Sequence, residues 1–292
     1  MSAGELLGRA AELRRGRIPF VHARVVLAER PTSAKPGDEA IVLEDGSIEG
    51  FVGGNCVEAT LRVQSLRALE GRQPLLVRVS PTEEPPQSGR VSVVNPCLSG
   101  GTLEIFLEPV MPAPLVAIHG HSPTARALQE VGRSLGYQVV DWEPELTASA
   151  VVVASHGRDE EPVLEAALRA GVPYVALVAS QRRGRAVVDS LDVDPGLRER
   201  VRTPAGLDIG AHGPAEVALS ILAEIIATRP RPEPSGEVAA SPSGTTLDLV
   251  CGMLVAEVES SLTWEHEGVP YFFCGPGCRS AFQADPAAYL PS

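Results

Sequence analysis

The sequence predicts an α/β chain in three parts: an α+β domain over 1–110, a doubly wound parallel sheet over 114–228, and a small metal-binding module over 247–292, joined by a linker at 229–246. Three observations carry this. Strand and helix alternate between 115 and 226, the pattern of a parallel sheet with crossover helices. Upstream, strand-like runs outnumber helices and do not alternate with them. Downstream, the stretch RPRPEPSGEVAASPSGTT is rich in Pro, Ser and Gly and has no hydrophobic period, which is the composition of an extended linker.

The elements follow in order. Residues 5–14 form a helix, with Leu6, Leu7, Ala10 and Leu13 on one face. Strands are expected at 23–28, 40–43, 75–79, 91–94 and 103–107, with Asp45-Gly46 as a hairpin turn after the second. A helix over 57–70 interrupts the series. In the next part, 115–118 is a short apolar strand, and Ser122-Pro123 supplies an N-cap and a first-turn proline for a helix ending near Leu135. Strands at 138–140, 151–154 and 175–178 enclose a helix over 160–170. Pro214 opens a last helix through Ile226, with Glu216 in its first turn. This order is Rossmann-like.

Composition narrows the function. The formal net charge of −12 argues against general nucleic-acid binding and against docking on an acidic membrane. No run approaches the ~20 apolar residues that span a bilayer, and residues 1–17 read as a charged amphipathic segment rather than a signal peptide. Five cysteines, an odd number, read poorly as a disulfide framework and point to a reducing cytoplasm. Aromatic residues make up 4%, so the core is expected to be Val, Leu, Ala and Ile.

Three of the cysteines lie near the end of the chain, as Cys251-x22-Cys274-x3-Cys278. Gly275 and Gly277 allow a tight turn, and a helix beginning near Pro276 turns Cys274 and Cys278 to one side. Three thiolates suit Zn(II), Cu(I) or a similar soft ion. A fourth ligand could come from Met253, His266 or water; reduced, packed cysteines are the structural alternative. A module this short commonly needs such a staple. CGM, YFFC-x3-C and the closing FQADPAAYL resemble the YHS domain, related to the TRASH metal-binding domains. The resemblance implies a heavy-metal-binding or metal-sensing module.

The other two cysteines sit beside glycine pairs. Gly53-Gly54-Asn55-Cys56-Val57-Glu58 leads into the helix over 57–70, and a thiol at a helix start is favoured as thiolate. Asn95-Pro96-Cys97-Leu98-Ser99-Gly100-Gly101 leads into the strand over 103–107. Paired glycines admit close approach of a ligand and present N–H groups to anions; two buried cysteines beside ordinary turns would look the same. These stretches, with Lys35-Pro36-Gly37, the run Ala205-Gly206-Leu207-Asp208-Ile209-Gly210-Ala211 and Ala223-Glu224, resemble the XdhC/CoxI family of accessory proteins for molybdenum hydroxylases. The resemblance implies a protein that binds molybdenum cofactor transiently between its first two domains. It would assist sulfuration and insertion into a xanthine dehydrogenase or CO dehydrogenase-type client. Cys56 and Cys97 would be the thiols near molybdenum or its sulfur, with Gly53, Gly54, Glu58, Gly100 and Gly101 around them. Such a protein is a maturation factor rather than an enzyme; sulfuration would call on a cysteine desulfurase, and a homodimer is compatible with it.

A dinucleotide fingerprint, G-x-G-x-x-G/A, is only half met after the strand over 115–118, by Gly120, Ser122 and Ala125, with Asp141 about 20 residues on. An NAD(P)-dependent oxidoreductase is therefore an alternative, weakened by Ser122, and a metal sensor or metallochaperone is another. His156, like His119 and His121, falls at the C-terminal edge of the sheet, where ligands of such folds gather, and Arg158, Arg182 and Arg183 could meet phosphate there.

Overall fold

The computed structural model of the chain describes residues 1–85, 87–95, 101–229 and 244–290. These fall into two compact units. One takes the described residues of Met1–Pro112 and Pro232–Ser292, the other those of Ala113–Arg231.

The first unit opens with α1 (Ala3–Arg15), started by a capping box in which Ser2 and Glu5 exchange hydrogen bonds. Leu6, Ala10 and Leu13 are buried against Phe20 and Ile41, whereas Leu7, expected on the same face, is exposed. The apolar face is narrower than the sequence pattern suggested. Six strands form a mixed sheet: β1 (Phe20–Glu29), β2 (Glu39–Leu43), β3 (Ile48–Gly50), β4 (Leu75–Ser80), β5 (Arg90–Val94) and β6 (Thr102–Val110). Their order is β3-β2-β1-β6-β4-β5, antiparallel except for the β4–β5 pair. The Asp45-Gly46 turn joins β2 to β3, with Gly46 at φ +76°. Between β3 and β4 lies α2 (Asn55–Gly71), which packs Leu61, Ala68 and Leu69 on the sheet with Val77, Val79 and Ile105.

The C-terminal segment belongs to this unit. Strands β12 (Thr245–Leu247) and β13 (Leu254–Ala256) pair antiparallel, as do β14 (Leu262–His266) and β15 (Val269–Phe273). The second pair turns through Glu267 and Gly268, both at positive φ, as a two-residue hairpin requires. Helix α8 (Pro276–Ala284) closes the segment. Phe282, fully buried, is ringed by Trp264, Tyr271, Phe273 and Tyr289 at centroid distances of 4.8–6.1 Å. The scarce aromatics are thus concentrated where a short segment must build its own core. Its outer surface lies on α2: Val255 and Met253 pack with Ala59, and Ser260 Oγ donates to the Asp45 carbonyl at 2.8 Å. A Cβ at Gly46 would fall 2.8 Å from Val258 Cγ2, so glycine at the hairpin turn also admits this docking. The expected linker, 229–246, falls largely on 230–243, outside the described residues.

The second unit is a five-stranded parallel sheet in the order β11-β10-β9-β7-β8, from β7 (Leu115–His119), β8 (Gln138–Asp141), β9 (Ala150–Val153), β10 (Tyr174–Leu177) and β11 (Val201–Arg202). Helices α3 (Pro123–Ser134) and α7 (Pro214–Ala227) cover one face, α4 (Glu160–Arg169) and α5 (Gln181–Ser190) the other. The sheet is doubly wound, as expected. Helix α5 was not expected: QRRGRAVVDS buries only Gly184 and Val187, too few apolar positions to show a period. A four-residue helix, α6 (Pro195–Arg198), precedes β11. Among the described residues no helix is long and apolar enough to cross a membrane.

Candidate functional site

In the first unit, the turn after β3 delivers the chain to α2. Gly53 is buried at φ +148°, with a Cβ position 3.0 Å from Val57, so a side chain there would collide with the helix it introduces. Gly54 is the N-cap and has no side chain to satisfy the first N–H groups, leaving the positive end of the helix toward a cavity. That cavity, about 580 Å³, is lined by Arg30, Thr32, Ser33, Gly54, Cys56 and Asn95, among others, and by Gly101. Glu58 does not line it; it lies one turn on, beside Arg62, whose Nε donates to the Gly46 carbonyl at 2.7 Å. Gly101 serves a packing need, since a Cβ there would stand 2.1 Å from the Pro31 carbonyl oxygen. Cys97 and Gly100 lie outside the described residues.

The C-terminal thiols converge. Cys274 Sγ is 3.5 Å from Cys251 Sγ and 3.6 Å from Cys278 Sγ. The Asp248 carboxylate joins them, so that four ligand atoms lie within 4.8 Å of one another. Four ligands placed tetrahedrally at ~2.3 Å from a zinc ion stand about 3.8 Å apart, so these spacings are close to a coordination shell. Asp248 is wholly buried and is held by two amides: Val250 N donates to Oδ1 at 2.9 Å and Cys274 N to Oδ2 at 2.8 Å. The sequence reading left the fourth ligand among Met253, His266 and water. Met253 is buried beside the thiols, whereas His266 stacks on Trp264 at 5.3 Å and is not one of the four grouped residues. Asp248 was missed; its signal is the spacing D-x-x-C, which lets a carboxylate cap the turn carrying Cys251.

Three thiols this close cannot all ionise unaided. Hydrogen bonding from Cys274 pulls Cys251 down to about 7. Cys274, which donates to Cys251 and adjoins the Asp248 charge, is pushed up, and burial raises Cys278 to about 12. Near neutrality the three thiols therefore hold about half a negative charge, on Cys251, and a bound cation would be needed to hold three thiolates.

A second cavity, of about 380 Å³, is lined by Cys251, Cys274 and Cys278 together with Cys56, Asn55 and Asn95. The two ends of the chain, read separately in the sequence, thus bring their thiols to one place.

In the second unit, the strand order reverses between β8 and β9, on either side of β7, and the loops after these strands enclose about 550 Å³. Gly120, Ser122, His156 and Asp141 all line this space, at the topological switch point where such sheets bind ligands. Gly120 is required sterically: at φ +106°, a Cβ would lie 2.5 Å from Ser155 Cα. Ser122 caps α3 by accepting Ala125 N at 3.1 Å, and Pro123 has no N–H. The donors that would cradle a pyrophosphate are therefore reduced at this helix start. Arg183, a candidate phosphate ligand, instead pairs with the buried Glu160, which also accepts Gly157 N at 2.7 Å and orders the His156 loop. His119 Nε2 donates to the Arg158 carbonyl at 3.1 Å.

The loop over 205–211 borders a further cavity of about 820 Å³. Glu224 Oε2 accepts both Gly206 N at 2.9 Å and Tyr174 OH at 2.6 Å. Burial and this carboxylate raise the Tyr174 phenol well above its usual range.

Residues 13–80 match the model of the XdhC and CoxI family, and residues 116–225 match that of the XdhC Rossmann domain. Each unit carries a stretch that matches one of these models. Among curated proteins, a molybdenum cofactor insertion chaperone of Escherichia coli, PaoD, is 26% identical over 262 residues, covering 70% of this chain and 82% of its own. An uncharacterized Escherichia coli protein, YqeB, is 26% identical over 251 residues, covering 74% of this chain and 45% of its own. A probable xanthine dehydrogenase component of Bacillus subtilis is 24% identical over 160 residues, covering 44% and 47%. The chain thus spans under half the length of the latter two relatives. Cys56 falls inside the first matched stretch, and the three C-terminal thiols fall outside both.

Proposed function

We propose that this chain is an accessory protein that binds molybdenum cofactor and assists its sulfuration and insertion into a xanthine dehydrogenase or CO dehydrogenase-type hydroxylase. The observation that carries this reading is the cavity at the start of α2. It combines an anion-favouring helix end without a side-chain cap, Arg30, two hydroxyls (Thr32 and Ser33) and a thiol, Cys56. A pterin phosphate needs the first three, and a molybdenum or sulfur centre needs the thiol. The XdhC matches in both units support the same reading. Cys97 with Gly100 would extend the site, a cysteine desulfurase would supply sulfur, and two copies could share a client. Protein thiols in this number suit the cytoplasm.

We also propose that Asp248, Cys251, Cys274 and Cys278 hold a soft ion, Zn(II) or Cu(I), as the YHS resemblance implies. The donor set and its spacing support that assignment. The dinucleotide reading is weaker, because Ser122 and Pro123 occupy the place of phosphate-binding amides.

The test is to purify the full chain from cells making the cofactor and to assay pterin fluorescence and bound metals together. Pterin should copurify with the wild type and fall several-fold in Cys56→Ser. An unloaded wild type, under conditions that load a known insertion chaperone, would exclude the cofactor reading.

A further inference from the structure

The metal cluster and the α2 cavity are not independent. Three residues, Asn55, Cys56 and Asn95, line both the cavity of about 580 Å³ and the thiol cavity of about 380 Å³. Cys56 also packs with Ala59, Met253 and Val255 in the apolar cluster that contains Cys274. Its sulfur is not one of the four ligand atoms grouped within 4.8 Å, so among the described residues it is a further thiol on the same cavity rather than a member of the cluster. All four cysteines are present as thiols. The route from the cluster to the α2 cavity therefore passes a soft ligand on the wall common to both.

We propose that Cys56 is an exchange thiol. It takes a soft ion from the Cys251/Cys274/Cys278 cluster and presents it in the α2 cavity, so that one chain holds both a thiophilic metal and the place where the metal would be used. The step is a ligand exchange. A bond forms between Cys56 Sγ and the ion as a bond from the ion to one cluster sulfur breaks. The Cys56 proton passes to the released thiolate, and the ion keeps its oxidation state, so no oxidant or reductant is needed. The cluster is built on a turn and the first turn of α8, Cys56 stands in the first turn of α2, and the cavity of about 380 Å³ is lined by all four thiols. The chemistry required of the ion is thiophilicity and fast ligand exchange, as for Zn(II) and Cu(I).

This inference rests on the metal part of the proposed function and is independent of cofactor binding. The full chain is loaded with one equivalent of Zn(II), and its release to an excess of a small chromogenic chelator is followed by stopped flow. Cys56→Ser and Cys56→Ala should slow release about fivefold or more while changing the equilibrium affinity less than about twofold, since an exchange ligand lowers a barrier and a resident ligand deepens a well. A packing role would move the thermal midpoint and leave the rate unchanged. As a measurement on the wild type itself, alkylating the Zn(II)-loaded chain, in which the cluster thiols are held by the metal, should slow release as the two variants do. Stoichiometric Zn(II) with a release rate unchanged by the variants or by that alkylation would overturn the exchange role alone. Absence of Zn(II) from the wild type would overturn the metal assignment with it.

Discussion

Helices α2 and α3 both follow a strand and a glycine-bearing turn, yet their first residues are chemically opposite. At α2 the N-cap is Gly54, which brings no side chain, and a thiol follows two residues on. At α3 the N-cap is Ser122, which takes up the Ala125 amide itself, followed by a proline without an N–H. One helix end is left open toward a cavity; the other is closed by its own sequence. The mixed-sheet unit thus offers an uncapped helix end beside a thiol, whereas the switch point of the parallel sheet offers a helix start with fewer free N–H donors.

The largest effect is expected at the thiol and carboxylate cluster of the first unit. Cys274→Ser removes the sulfur central to all three and should lower Zn(II) affinity at least ~100-fold, read by chelator competition. Next comes the packing glycine of the α2 cavity. Gly101→Ala places a Cβ against the Pro31 carbonyl oxygen and should cost about 3 kcal/mol, measured by denaturant unfolding.

Gly54→Ser makes the start of α2 like that of α3. It meets open space, so stability should rise by a few tenths of a kcal/mol, while bound pterin should fall about tenfold as the hydroxyl takes over a helix-end amide. If pterin is unaffected, the open helix end is not the binding determinant.

Metal uptake should also depend on pH. With Cys251 near 7 and its two neighbours held protonated, Zn(II) binding at pH 7 should release between about two and three protons, measurable by calorimetry in buffers of different ionisation enthalpy. Cys251 lies below the ordinary thiol value of 9. Its thiolate therefore contributes stability to the metal-free fold that is fully present above about pH 9 and lost as pH falls through about 7. The smallest effect belongs to the second unit: Tyr174→Phe gives up one hydrogen bond to Glu224 and should cost about 1 kcal/mol, without altering pterin or metal content.

Much of the fold was legible because it is local. The alternation of strand and helix over 115–226 reports the parallel sheet, and Ser122-Pro123 marks the start of α3 to the residue. Helix α5 was not legible, because a charged, glycine-bearing segment that buries two residues shows no period. At the candidate site, the C-x3-C knuckle followed from spacing, since both thiols belong to one turn and the helix after it. Asp248 was harder to see: a carboxylate three residues before a cysteine is common, and only its burial and its two amide donors distinguish it.

The sequence by itself determined which thiols could bind a soft ion and which turn could receive an anion, because both depend on residue types, while Asp248 did not stand out among the acidic residues. Only the tertiary structure decided that Cys56 and the cluster of Cys251, Cys274 and Cys278 face common space. That proximity joins segments nearly two hundred residues apart through the packing of Ala59 on Met253 and Val255 and the contact of Ser260 with the Asp45 turn. Such contacts arise from the burial of complementary surfaces, which leaves no periodicity in either segment.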